Sequence, residues 1–242
     1  MESLLPVLAL GFLLGMRHAT DADHVVAIGA IVTRERSLRS AAQLGAVWGV
    51  GHTLTILLVG GAIIVLGLVV PPRLGLIFEL TVAAMLIVLG GLNLRRGARR
   101  VSATHAHPHV HPHVHEGVTE RLLDRGLGPM ARVSALRPLL IGIVHGLAGS
   151  AAVALLVLGT LRDPRWAAAY LLVFGGGTVV GMTVITVALA LPLAAAARRF
   201  ASVNRYLAVS AGLLSVAFGL FLVYQIGFVD GLFTAHPHWT PG

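Results

Sequence analysis

Apolar residues run along this chain in long blocks, and polar residues are confined to the breaks between them. Blocks of about 20 residues or more read as membrane-spanning helices. The pattern predicts six, near residues 4–32, 42–70, 74–94, 138–161, 166–197 and 205–228. The breaks carry charge and proline. Arg34-Glu35-Arg36 follows the first block, Pro71-Pro72-Arg73 the second, and Arg95-Arg96 with Arg99-Arg100 the third. Asp163-Pro164-Arg165 and Arg198-Arg199 follow the fourth and fifth. The expected fold is an all-α polytopic membrane protein in three regions: three helices in 1–94, a basic, His-rich loop in 95–137, and three helices with a short tail in 138–242.

Composition agrees. Hydrophobic residues make up 56% and charged residues 12%, where a soluble domain carries about 25% charged. Mean hydropathy is +0.86. These values exclude a soluble globule and a disordered chain. The run Leu4–Met16 lacks a basic segment before it and ends in Arg17-His18, so no signal-peptide cleavage is expected.

The net charge of +8 rests on 18 basic residues, all of them Arg. Such a charge raises the question of nucleic acid. The arginines lie between apolar runs, as in membrane loops, so the expected partner is the lipid bilayer and not nucleic acid. Fourteen of them fall in the first, third and fifth loops, and three (Arg73, Arg162 and Arg165) in the others. The positive-inside rule then places the fourteen in the cytoplasm and both termini outside, in the cell inner membrane. The short loops alone agree, six against three.

The chain echoes itself weakly. Gly15-Met16-Arg17-His18 returns as Gly142-Ile143-Val144-His145, 127 positions on. Trp48-Gly49-Val50-Gly51-His52-Thr53 returns as Phe174-Gly175-Gly176-Gly177-Thr178-Val179, 126 on, and Leu80–Ala84 returns as Leu207–Ala211, 127 on. Three spans per half is an odd number, so such halves insert with opposite orientation. An inverted 3+3 repeat with a site near the midplane is a transporter arrangement.

The chemistry concentrates in Arg17-His18-Ala19-Thr20-Asp21-Ala22-Asp23-His24, at the middle of the first span. Each charge at the bilayer centre costs about 2.5–3.5 kcal/mol on insertion scales, an expense that packing alone does not require. On a regular helix His18, Asp21 and His24 share one slanted stripe, while Asp23 lies about 140° from His18. Either a subset binds, or the helix is distorted here. Imidazoles with carboxylates suit a first-row divalent ion. The chain has no cysteine and twelve histidines, so imidazole is the available soft ligand.

His52, about half-way through the second span, is the next candidate ligand; the alternative is a structural His bonded to a backbone carbonyl. His145 is the echo of His18 without the neighbouring acids, and is either a site residue or a helix-packing group. Glu79 lies on an access path or is simply solvated at the interface. His105, His107, His109, His111, His113 and His115 alternate in the loop between prolines, an auxiliary metal-binding tract. His236 and His238 read as surface residues.

The run Arg17–Val25 resembles the RHAxDADH signature of the nickel/cobalt transporter (NiCoT) family, and Gly51-His52-Thr53 resembles that family's second motif. The likeness covers about the first 70 residues well and the rest in general design. Long members of the family have eight spans and an N-terminus in the cytoplasm. This chain is expected to lack the leading span, and the family's later Asp- and Thr-rich motifs are not visible in it. Its short six-span form resembles the UreH-type urease accessory members.

The resemblance implies a non-enzymatic importer of Ni²⁺ or Co²⁺, with the ion as substrate and no permanent cofactor, linked to urease or hydrogenase maturation. His18, Asp21, Asp23, His24 and His52 are the implied metal residues. The alternatives are a nickel/cobalt exporter, and an intramembrane metallohydrolase or metal sensor in which Asp21 would be the general base.

Overall fold

The computed structural model describes residues 5–33, 37–66, 70–102, 136–147, 161, 163–199 and 201–239. Among them are seven α-helices and no strand. They are α1 (Leu5–His18), α2 (Ala22–Val32), α3 (Leu38–Leu66), α4 (Pro72–Ser102), α5 (Leu136–Gly146), α6 (Pro164–Arg199) and α7 (Ala201–Tyr224), followed by a π-helical turn at Gln225–Val229. Four segments are long and apolar enough to cross a membrane: Leu38–Ile63, Pro72–Arg95, Pro164–Ala195 and Tyr206–Val229. Leucine, valine and phenylalanine side chains such as Leu58, Val88, Leu213 and Phe228 lie exposed on them. A lipid-facing surface takes these residues at no cost, since no water need be ordered around them.

Several boundaries differ from the sequence expectation. The first apolar block is two helices, α1 and α2, broken at Ala19–Asp21. Helix α4 continues through Arg95–Arg100 to Ser102, because arginine is a good helix former and the membrane edge need not end a helix. The fourth block is helical over Leu136–Gly146, and 148–160 fall outside the described residues. So do the histidines of the 105–115 tract.

Local chemistry explains several ends. Pro71 and Pro164 punctuate the starts of α4 and α6. At α6 the Asp163 carboxylate accepts from the Arg165 N–H at 2.9 Å, capping a terminus whose Pro164 has no N–H to satisfy. After the π-turn Gly231 adopts φ +78°, a left-handed conformation open to glycine. This turns the tail back along α4. There Trp239 packs on Gly75 and donates its indole N–H to Glu79 at 2.9 Å. Glu79 is therefore held by a side chain, not merely solvated.

The helices pack through small residues. Without a hydrophobic drive between helices in lipid, close backbone approach is what binds them. These approaches come in matching pairs. A β-carbon on Gly15 of α1 would meet the Phe174 carbonyl and Thr178 N–H of α6, and one on Gly142 of α5 would meet the Trp48 carbonyl and His52 N–H of α3. Gly177 abuts Phe12, and Gly51 abuts Leu139. Gly175 abuts Thr53, and Gly49 abuts Val179. Each member of a pair lies 126 or 127 positions from its counterpart.

The α4–α7 contact behaves in the same way. Gly90 meets Gly212 and Val216, while Gly219 meets Ala83 and Ile87. Here the counterparts stand 129 apart, two positions beyond the 127 of the Leu80–Ala84 echo.

The contact register also gives direction. Gly11 meets Tyr170 and Gly15 meets Phe174, so α1 and α6 run parallel. Gly45 meets Thr186 and Gly49 meets Val179, so α3 and α6 run antiparallel, as do α4 and α7. Hydroxyls fasten two of these seams: Thr53 donates to the Gly175 carbonyl at 3.1 Å, and Ser215 to that of Leu86 at 2.8 Å.

Candidate metal centre

The break between α1 and α2 builds the site. Helix α1 closes on short i→i+3 bonds, from Thr20 N–H to the Arg17 carbonyl (2.8 Å) and from Asp21 N–H to that of His18 (3.1 Å). Asp21 then takes an extended conformation (φ −60°, ψ 147°) as the N-cap of α2. Its carboxylate makes no cap bond. It turns back to His18 instead, with Oδ2 2.8 Å from Nδ1. The reversal removes the constraint of a single stripe, so His18, Asp23 and His24 all reach one region.

Four buried imidazoles meet there: His18 from the end of α1, His24 from the first turn of α2, His52 from the centre of α3 and His145 from the last turn of α5. His18 Nε2 lies 2.9 Å from His52 Nε2. The His24 ring is 4.6 Å from that of His18, 5.0 Å from that of His52 and 4.2 Å from that of His145, measured between centroids. Asp23 bridges two of them, with Oδ1 2.9 Å from His24 Nδ1 and Oδ2 2.8 Å from His145 Nε2. His145 thus joins the cluster through an acid of the other half, which its sequence position alone left open.

Two sets of three donors are compact enough to hold an ion, each with its ligand atoms within 4.8 Å of one another: His18, His24 and His52, and Asp23, His24 and His145. A first-row ion binds imidazole nitrogen at about 2.0–2.1 Å, so ligand atoms must draw only a little closer. Carboxylates holding Nδ1 of His18 and of His24 leave the Nε2 lone pairs for a metal, the usual way a protein fixes the tautomer of a ligating histidine. His24 Nε2, His52 Nδ1 and His145 Nδ1 are buried without a hydrogen-bond partner.

Asp21 is the peripheral acid, its side chain 43% exposed against 17% for Asp23. Arg17, His236 and His238 are exposed, unlike the four clustered imidazoles.

Two aromatic walls were not expected from the sequence. Phe174 lies 5.8 Å from His18 and Trp48 lies 5.5 Å from His145, ring to ring. The signal was present in the echo, where Trp48 and Phe174 open the paired glycine segments.

Fold and site together define a polytopic, all-helical membrane protein with a buried imidazole–carboxylate centre. The sequence is 34% identical over 233 residues to the urease accessory protein UreH of Bacillus sp. (strain TB-90), covering 95% of this chain and 96% of that protein. The chain belongs to the UreH-type family of urease accessory proteins. No family model matches it, and no solved structure does.

Proposed function

We propose that this protein is a secondary transporter that carries Ni²⁺, with Co²⁺ as a second substrate, into the cell for urease maturation. The observation that carries the reading is the cluster of four buried imidazoles with Asp23 among them, set where helices α1, α2, α3 and α5 converge. Unpartnered imidazole nitrogens are costly in the interior unless something uses them. A divalent ion uses them and offsets the buried carboxylate charge. The relative's name links that protein to urease, a role that fits nickel as cargo.

In this reading His18, His24 and His52 form the first ligand set, and Asp21 and Asp23 orient His18 and His24. The chain has six spans, the sixth α7, in two inverted halves: α1 to α4, and α5 to α7. The matching glycine contacts and the antiparallel course of α3 against α6 and of α4 against α7 support it, since an axis lying in the membrane plane reverses each helix onto its counterpart. The arginine-rich loop faces the cytoplasm, both termini face outside, and the bilayer is the inner membrane. The His-rich tract of that loop serves as an auxiliary metal-binding segment.

Reconstitution into vesicles holding an internal metal-sensitive dye tests the reading. Ni²⁺ should enter down its gradient, with Co²⁺ competing. His18→Ala, Asp23→Ala and His24→Ala should each abolish entry while still inserting and folding. Near-normal entry in any two of these variants would refute the site.

A further inference from the structure

The two candidate ligand sets share one residue, His24. The two sets are otherwise unlike. One has three imidazoles, His18, His24 and His52; the other has Asp23 and His24 with His145 from the far half. His24 sits among the other three rings. Its Nδ1 already faces Asp23 at 2.9 Å, and its Nε2 is buried and unpartnered. The nitrogens of an imidazole point away from each other, so one ring can serve two ion positions in turn.

The surroundings of the two sets match as well. His18 beside Phe174 and His145 beside Trp48 are counterparts in the echo, at ring distances of 5.8 and 5.5 Å. An inverting axis would exchange these two neighbourhoods between the two membrane faces.

We propose that the site is a two-position relay, in which a single divalent ion passes from the His18–His24–His52 set to the Asp23–His24–His145 set across the two nitrogens of His24. This rests on the transporter reading above and deepens it: the second half supplies a ligand of its own, His145. The ion must leave Nε2 of His24 before it reaches Nδ1, because the two lone pairs point to opposite sides of the ring. Each neutral imidazole keeps one N–H, on the nitrogen turned away from the ion, so no net proton is taken up or released. In the first position the His24 proton sits on Nδ1 and is received by Asp23. In the second it sits on Nε2, and the His145 proton sits on Nδ1; water entering the site carries the change, taking the Nδ1 proton of His24 and giving one to Nε2 once the ion has left it, so the count stays even. Both positions cannot fill together, since a shared His24 would have to lose its last proton and four positive charges would face two carboxylates.

The test uses the full chain in detergent, with Co²⁺ as the probe, equilibrium binding for stoichiometry and X-ray absorption at the cobalt edge for the ligand set. The Asp23→Asn/His145→Gln pair keeps the first position, because Asn still accepts from His24. It should bind one Co²⁺ through three imidazoles. The His18→Gln/His52→Gln pair should bind one Co²⁺ with mixed imidazole and carboxylate ligation. Both should lose vesicle transport, and His24→Ala should bind none. Metal-free thermal unfolding checks that each is folded. Should a pair fail to fold, His145→Gln and His18→Gln alone should show the same two-way split in ligation. Loss of Co²⁺ binding in either folded pair, or identical ligation in both, overturns the relay. Wild-type protein that binds no Co²⁺ overturns the transporter reading itself, a separate result.

Discussion

The two halves of the molecule begin alike and diverge within a few residues. Helix α1 ends at His18 and α5 just after His145, and both close on the same short bond, Thr20 N–H to the Arg17 carbonyl (2.8 Å) and Leu147 N–H to the Val144 carbonyl (3.3 Å). Each helix lays its glycine against the partner half, Gly15 on Phe174 and Gly142 on Trp48. Beyond the turn the first half continues with Asp21, Asp23 and His24, where the second has Ala148, Ser150 and Ala151. Packing and chemistry have therefore separated. The halves share the backbone geometry that brings helices together, and one of them carries the acids. The site is still assembled from both, because Asp23 reaches across to His145.

Equal packing is the part of this comparison with the largest expected effect on stability. Gly15→Ala and Gly142→Ala each force a β-carbon against a backbone carbonyl, and overpacking of this kind costs about 1–3 kcal/mol or more. Thermal unfolding in detergent should show like losses for the two. Gly29→Ala is the control: nothing lies within 4 Å of its β-carbon position, so it should be neutral or slightly stabilising. A large loss at Gly15 with none at Gly142 would break the equivalence.

Unequal chemistry predicts a middle-sized effect. Asp21 touches His18 and is the more exposed acid, so it acts by orienting that ring. Removing such an outer partner typically costs about 10–100-fold in metal affinity. Asp21→Asn should weaken Ni²⁺ binding within that range in a calorimetric titration, without abolishing it. Complete loss would make Asp21 a direct ligand.

The smallest effect sharpens the comparison further. Thr53 donates to the Gly175 carbonyl, while its counterpart Val179 has no hydroxyl to give to Gly49. Thr53→Val would make the two seams chemically alike, at about 0.5–1.5 kcal/mol for one lost hydrogen bond. Unchanged unfolding would mean that this bond adds nothing to the seam.

The sequence carried some of this plainly. Long apolar runs with arginine-marked ends predict helices wherever they occur, and α3, α6, α7 and the start of α4 lie within about four residues of the expected spans. Apolar length is blind to a break inside a block, so the α1–α2 interruption showed only as an angular conflict between Asp23 and His18. Arginines mark a membrane edge and not a helix end, which is why α4 outruns its expected limit.

His18, Asp21, Asp23 and His24 were candidates because polar groups are out of place in such a span, and the structure brings them together with His52. The place of His145 depends on how two distant helices meet, which local spacing does not encode. The echo located both Gly15 and Gly142, but their reciprocal seating and the 129-position register of α4 on α7 are set by how helices distant in sequence meet.

The central claim, inward movement of nickel through a His24-centred site, is tested most directly by accumulation of labelled Ni²⁺ in metal-starved cells producing the protein. Wild-type cells should accumulate nickel above cells lacking the protein, unlabelled Co²⁺ should reduce the uptake, and His24→Ala should return it to background. Accumulation unaffected by His24→Ala, or nickel content falling below background in wild-type cells, would contradict the account.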